Sequence, residues 1–192
     1  GGSEFASTLT SDNKWREVSV IVPPNTKIIG LGYVELRFMP TQSEIGTIAS
    51  NLLSPLNVVG SVHVENITIK CQNCRYGIHD DGSSTYNNTK HFYKNVKVEK
   101  LAGLGFAFAF GSGIGNESDF RFDNCVFKAY YTPFSIHNQL YSYNSTIVFS
   151  DCVFDGEVQG TCLRFGSLST KDSNYPIDVK VYNSYINGNI KY

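Results

Sequence analysis

The chain has 192 residues, with 16 Lys and Arg against 17 Asp and Glu, and an aromatic share of 14% carried mainly by 12 Tyr and 13 Phe. That length suffices for one domain with a substantial core. The balanced charge argues against a nucleic-acid partner, which calls for a basic excess. The most apolar window, residues 101–114, is too short and too broken by glycine to span a membrane, so no membrane partner is expected. Val, Ile, Thr and aromatic residues in short runs, separated by Asn, Ser and Gly, predict an all-β chain.

In chain order, residues 1–7 (GGSEFAS) read as a linker left by cloning. Residues 8–192 are then a single domain, expected to be a fragment of a larger protein. Val18 to Val22, the turn Pro23-Pro24-Asn25 and KIIGLG from Lys27 predict a strand, a sharp turn and a second strand. SEIGTIASNLL, between Thr41 and Pro55, is the one stretch with helical character.

From there the chain repeats. HVENITI from His63, FYKNVKV from Phe92, FRFDNCVF from Phe120, IVFSDCVF from Ile147 and VKVYNSYI from Val179 superpose on Asn66, Asn95, Asn124, Asp151 and Asn183. The spacings are 29, 29, 27 and 32 residues. A period of this size marks a solenoid, here a right-handed, single-stranded parallel β-helix of about six coils. Like positions on successive coils then stack roughly 4.8 Å apart. The anchor column is expected to face inward at a bend, its amides forming a buried ladder.

Thirteen residues beyond the anchors lie His79, Phe108, His137 and Arg164, and one residue earlier lie Ile78, Ala107, Ile136 and Leu163. Strand alternation places the second set inside and the first outside. Phe106, Phe108 and Phe110 alternate with Ala107 and Ala109, so the three rings share one face. If that face is outward, the stripe is either a trimer contact or a sugar-stacking surface; a slip of one residue would make it core. Polar insertions at residues 80–90, 111–119, 138–145 and 166–176 share a register and should crowd one edge of the solenoid.

The opening coil VIVPPNTKIIGLG, the coil VENITIKCQNCRYGIHDD and the later FRFDNCVF and IVFSDCVF resemble pectate-lyase-like parallel β-helix proteins, most closely those that bacteriophages carry as tailspikes and appendages. The resemblance runs over nearly all of residues 18–192. It implies a homotrimer on the virion, assembled in the cytoplasm of the bacterial host. It also implies adsorption to a bacterial cell-surface glycan, a polysaccharide or teichoic acid, which some members cleave. The chain lacks the carboxylate cluster with Arg or Lys of pectate lyases and the paired Asp motifs of polygalacturonase-type hydrolases. An enzyme reading, a glycan depolymerase, therefore stays open without a catalytic motif. A bacterial surface adhesin is a further alternative.

Among single residues, His79, Asp80 and Asp81 form the most chemical-looking cluster, but neighbours in a strand face opposite ways and Asp81-Gly82 opens an ordinary turn. His79, Phe106, Phe108, Phe110, His137 and Arg164 are the candidate glycan or interface residues. Asp80 and Asp81 are weaker candidates for carboxylate catalysis. Cys71 and Cys74 form a lone CxxC pair, and a zinc site wants a second pair. Cys125 and Cys152 continue the positions of Ile67 and Val96, as buried apolar residues. Five cysteines so placed predict reduced thiols. No metal and no cofactor is expected.

Overall fold

The computed structural model of the chain describes residues 5–9, 15–41, 54–80, 87–110, 117–136, 144–156, 161–165 and 177–191. The segment with helical character, His137 and Asp81 lie outside the described residues. Among the described residues there is no helix. The strands run in order β1 (Phe5–Leu9), β2 (Trp15–Val22), β3 (Thr26–Ile29), β4 (Glu35–Phe38), β5 (Leu56–Val58), β6 (Val62–Gln72), β7 (Tyr76–Asp80), β8 (Lys90–Ala102) and β9 (Phe106–Phe110). They continue with β10 (Asp119–Asp123), β11 (Val126–Ala129), β12 (Thr132–Ile136), β13 (Ser145–Ser150), β14 (Val153–Gly156), β15 (Thr161–Phe165), β16 (Ile177–Tyr182), β17 (Tyr185–Asn187) and β18 (Asn189–Lys191).

They form two sheets. Sheet A stacks β1-β2-β5-β7-β9-β12-β15-β18, and sheet B holds the other ten strands. Every pairing is parallel except that of β1 with β2, which is antiparallel. The chain is thus a parallel β-helix of about four turns, fewer than the six that the repeat spacing counts. Phe5 to Ser7, set aside on composition, belong to β1.

Within sheet B each coil from β6 onward has two strand segments joined at the anchor residue, whereas β3 and β4 are joined through residues 30–34. The anchors adopt the left-handed conformation, with φ of 57° at Asn66, 52° at Asn95, 50° at Asn124, 55° at Asp151 and 47° at Asn183. Asn and Asp tolerate this region better than other residues with a Cβ, because their short polar side chains can bond locally. One left-handed residue bends the strand and shifts its alternation by one. Along β6, Val64 is buried, Glu65 and Asn66 both lie outside, and Ile67 is buried again. Hence the anchors do not point inward as expected. Asn95, Asn124, Asp151 and Asn183 are exposed and Asn66 is half-buried. The ladder itself exists, on the outside of the bend: Asn95 Nδ2 donates to Asn66 Oδ1, and Asn124 Nδ2 to Asn95 Oδ1, both at 2.8 Å.

Register from the anchors builds the core. Two residues before them stand the buried Val64, Tyr93, Phe122 and Phe149, paired coil to coil, with the exposed Val181 ending the column. The rings stack: Tyr93 on Phe122 at 5.0 Å and 6°, Phe122 on Phe149 at 5.0 Å and 20°. Such pairs add about 0.5–1.5 kcal/mol beyond their buried area. One residue after the anchors, Ile67, Val96, Cys125 and Cys152 are all buried, in line with their reading as apolar core.

Sheet A departs from the expected register. Its pairs are Ile78 with Phe108 and Phe108 with Phe134, then Phe134 with Leu163, so Phe108 belongs to the inner column with Ile78. The offset from the anchor is not constant because the intervening turns differ. In β8, Leu101 is an extra residue: Cys71 pairs with Lys100 and Gln72 with Ala102. The chain also turns a corner between residues 106 and 108. Ala107, Phe108 and Phe110 are in the main core, whereas Phe106 and Ala109 form a separate cluster with Tyr76. At Gly77, beside Ala107, a Cβ would meet a Val98 methyl at 2.4 Å, so the corner needs glycine there. The three rings therefore form no exposed stripe. The outer side of these strands is closed too, with Ala109 fully buried and Ser135 1% exposed. The stripe expected on the outer face is therefore buried within the chain.

Two outcomes follow. Asn95→Ala should lower stability to denaturant by about 1–3 kcal/mol and Asn95→Gly by less, since glycine keeps the backbone and loses only the ladder. Equal losses would place the whole effect in the ladder. Phe108→Ala should cost about 3–5 kcal/mol, and a loss below about 1 kcal/mol would contradict its core position.

Candidate functional site

The residues singled out from the sequence are dispersed by the fold. His79 and Arg164 do share the outer column of sheet A, but three rungs apart, with Ala109 and Ser135 between them. His79 is half-buried and its ring stacks on Tyr76 at 4.4 Å and 5°. Asp80, next to it, points the other way and is fully buried. The opposed directions expected of these neighbours are observed, and no site brings them together.

Asp80 instead joins a buried polar network. Its Oδ2 lies 2.7 Å from His91 Nδ1 and accepts from the Tyr93 hydroxyl at 2.8 Å. His91 Nε2 lies 2.9 Å from Thr89 Oγ1, which donates to Ser118 Oγ at 2.9 Å. Carboxylate, imidazole and hydroxyl stand in the order of a nucleophilic triad. Burial decides against that role: Thr89 is 4% exposed, Ser118 is fully buried, and the Thr89 hydroxyl is committed to Ser118. The same column carries backbone groups, since Ser118 Oγ also accepts the Thr89 N–H and Ser145 Oγ the Ser118 N–H. It is a second internal ladder, at the start of β8, β10 and β13. Tyr93, at the foot of the carboxylate, has its hydroxyl pushed well up by burial and by the charge of Asp80.

The five cysteines are free and buried. The hydrogen bond to its Cys152 neighbour and burial push the Cys125 thiol up. Lys100 also points inward, in register with Cys71 and Ala129, where small neighbours leave room. Its Nζ donates to the carbonyls of Ala102 and Gly103 at 2.8 Å each, capping the turn. Burial holds its ammonium below the ordinary lysine range. Among the described residues no group of three His, Cys, Asp or Glu is placed to hold a metal ion.

The open chemistry lies on the outer side of sheet B. Beyond the bend its charges are compensated. Lys70 lies 3.0 Å from Glu35 and 3.9 Å from Glu99, Lys97 lies 2.8 Å from Glu99, and Lys128 lies 3.6 Å from Asp155. Hydrogen bonds from Tyr33, Lys70 and Arg37 pull the Glu35 carboxyl down to about 2.

Before the bend compensation is incomplete: Lys94 lies 3.9 Å from Glu65 and Lys180 3.8 Å from Asp178, but Lys27 and Lys90 have no such partner among the described residues. Three residues ahead of each anchor, paired strands place Lys27, His63, Phe92, Arg121, Val148 and Lys180 in one outward column. At its start lies an open groove of about 320 Å³, lined by Asn25, Thr26, Lys27, Ser61, Val62, His63, Lys90 and Phe92. His63 and Phe92 meet edge to face, with centroids 4.9 Å apart, and both are half-buried. Glu65 holds the His63 ring through Nε2 at 3.0 Å. Lys27 and Lys90 are exposed, and neither forms an ion pair among the described residues. An aromatic face beside two exposed cations, with Asn25, Thr26 and Ser61 at its edge, is equipped to hold a polar ligand with an apolar side.

No protein-family model, no curated protein and no solved structure matches the chain. The groove residues were not among those singled out from the sequence, although a signal for them existed. His63, Phe92 and Arg121 sit at one offset from the anchors, and counting outward positions back from Asn66 and Asn95 reaches them.

Replacing His91 by Ala strands the Asp80 carboxylate in the core with Tyr93 as its remaining partner. The expected loss is about 3–5 kcal/mol in equilibrium unfolding. A variant as stable as the parent would show that the pair is not buried as described.

Proposed function

We propose that this β-helix is a recognition domain that binds a bacterial cell-surface glycan, a polysaccharide or teichoic acid, in the groove around His63 and Phe92. The setting that fits the resemblance is a bacteriophage tailspike or appendage working at host adsorption. The observation that carries the reading is a half-buried aromatic pair in an open groove, flanked by the exposed Lys27 and Lys90. Sugars offer the matching surface, since their C–H faces cover a ring while their hydroxyls reach Asn25, Ser61 and lysine. The solenoid supplies a rigid base, because the groove residues sit on hydrogen-bonded strands rather than on loops alone.

The parallel strands give each of these side chains a fixed partner on the next coil, so little ordering is left for the ligand to impose. The depolymerase alternative has less support. The described constellation of Asp80, His91 and Thr89 is closed to a substrate, and the groove itself is lined by no carboxylate. Release of reducing ends or phosphate from purified envelope would nonetheless establish it.

The test is binding of the domain to purified envelope glycan, comparing the parent with Phe92→Ala. The variant should bind at least about tenfold more weakly, or ~1.4 kcal/mol, with an unchanged unfolding midpoint. Equal binding by both would remove the groove from the recognition surface.

A further inference from the structure

We infer that the groove seats an anionic group of its ligand, a phosphate or a carboxylate, between Lys27 and Lys90; the inference rests on the glycan reading of the same groove. The argument is one of unspent charge. Elsewhere on sheet B nearly every lysine is matched: Lys70, Lys94, Lys97, Lys128 and Lys180 each lie within 4.0 Å of a carboxylate. Lys27 and Lys90 are not, and no Asp or Glu lines the groove they flank. The closest acidic candidates are occupied or distant. Glu65 is engaged by His63 at 3.0 Å and Lys94 at 3.9 Å. Asp119 is the register partner of Lys90 on the next coil yet makes no ion pair with it.

The neutral groups are placed to complete such a seat. Asn25 has a left-handed backbone at the end of the Pro23-Pro24 turn, and its N–H is tied to the Ser61 carbonyl at 2.7 Å. Ser61 Oγ in turn accepts the Lys90 N–H at 3.0 Å. Asn25 and Lys90 are therefore both tied to Ser61, and the Lys27 strand is held in register with His63, while both lysine side chains remain exposed without a carboxylate partner. A carboxylate or phosphate between them would gain charge-assisted hydrogen bonds. The column continues past Phe92 to Arg121, so the run from Lys27 to Arg121 covers three coil steps, on the order of 14 Å. That suits a short length of acidic polymer lying along the solenoid axis, with a sugar on Phe92.

The experiment measures binding to three defined polymers: poly(glycerol phosphate), polygalacturonate and neutral dextran, each at low and high salt. The parent should bind one or both acidic polymers and not dextran, with affinity falling as salt screens the charges. The two acidic arms tell phosphate from carboxylate. The double variant Lys27→Ala, Lys90→Ala should lose at least about tenfold in affinity and most of the salt dependence, with an unchanged unfolding midpoint. Undiminished binding by the double variant, or equal binding of dextran, overturns the anionic seat while the glycan reading stands on Phe92. Failure to bind any of the three polymers or purified envelope glycan overturns both.

Discussion

From β6 onward each coil of sheet B turns through one residue held at φ near +50°, and the rest of the molecule is arranged around that bend. A residue there must accept a left-handed backbone, and it projects to the outside of the corner. Asn meets both demands and adds a third property, an amide that donates to the anchor below while accepting from the one above. Asn66, Asn95 and Asn124 are joined in this way at 2.8 Å. The conformational requirement and the ladder select the same side chain, so one residue type marks the corner on four coils. Asp151 stands between Asn124 and Asn183 in this series with a similar φ of 55°.

Because the bend shifts alternation by one residue, it sets which side chains face in on both of its sides. From Asn66 to Asp151, positions two before and one after an anchor are core, and parallel pairing stacks them into columns. Aromatic rings suit such columns, as the parallel stacks of Tyr93, Phe122 and Phe149 illustrate. The polar exceptions inside are paired with one another. Asp80, His91 and Tyr93 come from facing strands and satisfy one another across the interior, and Lys100 spends its ammonium on two turn carbonyls. A triad-like order of groups can thus arise from the need to satisfy buried atoms, with no reaction implied.

Sheet B was legible in the sequence because its register is counted directly from the anchors, without crossing a turn. From Asn95 the count gives Tyr93 inside, Phe92 outside and Val96 inside, all as observed. What the count missed was the shift at the anchor itself, which follows from φ and not from residue type, so the ladder was expected on the wrong side of the wall. Sheet A lies across a turn whose length varies. Leu101 adds a residue to one coil, and the passage from Ala129 to Thr132 is shorter than that from Lys100 to Phe106, although both pairs of ends are in register. A fixed offset of thirteen therefore mixed His79, which is outer, with Phe108, which is inner. The alternation of Phe and Ala across residues 106–110 was real but broke at the corner beside Gly77, beyond the reach of a period-two argument.

The same geometry explains where recognition chemistry has room to reside. Inner positions are constrained by the column they belong to, since a polar side chain there must find a partner on a facing strand. Outer positions on the closed side of sheet A are nearly as restricted, as the buried Ala109 and Ser135 indicate. The outer face of sheet B is freer, and its two halves use that freedom differently. After the bend, Lys70, Glu99, Lys128 and Asp155 alternate in sign from coil to coil and pair with neighbours along the axis. That arrangement neutralises a stack of like positions that would otherwise repel. Before the bend the equivalent column reads Lys27, His63, Phe92 and Arg121, which has no such alternation. A parallel stack that leaves cations beside an aromatic ring without compensating them gains nothing for the fold from doing so. This cost is small at an exposed surface, and an acidic ligand on that face would offset it.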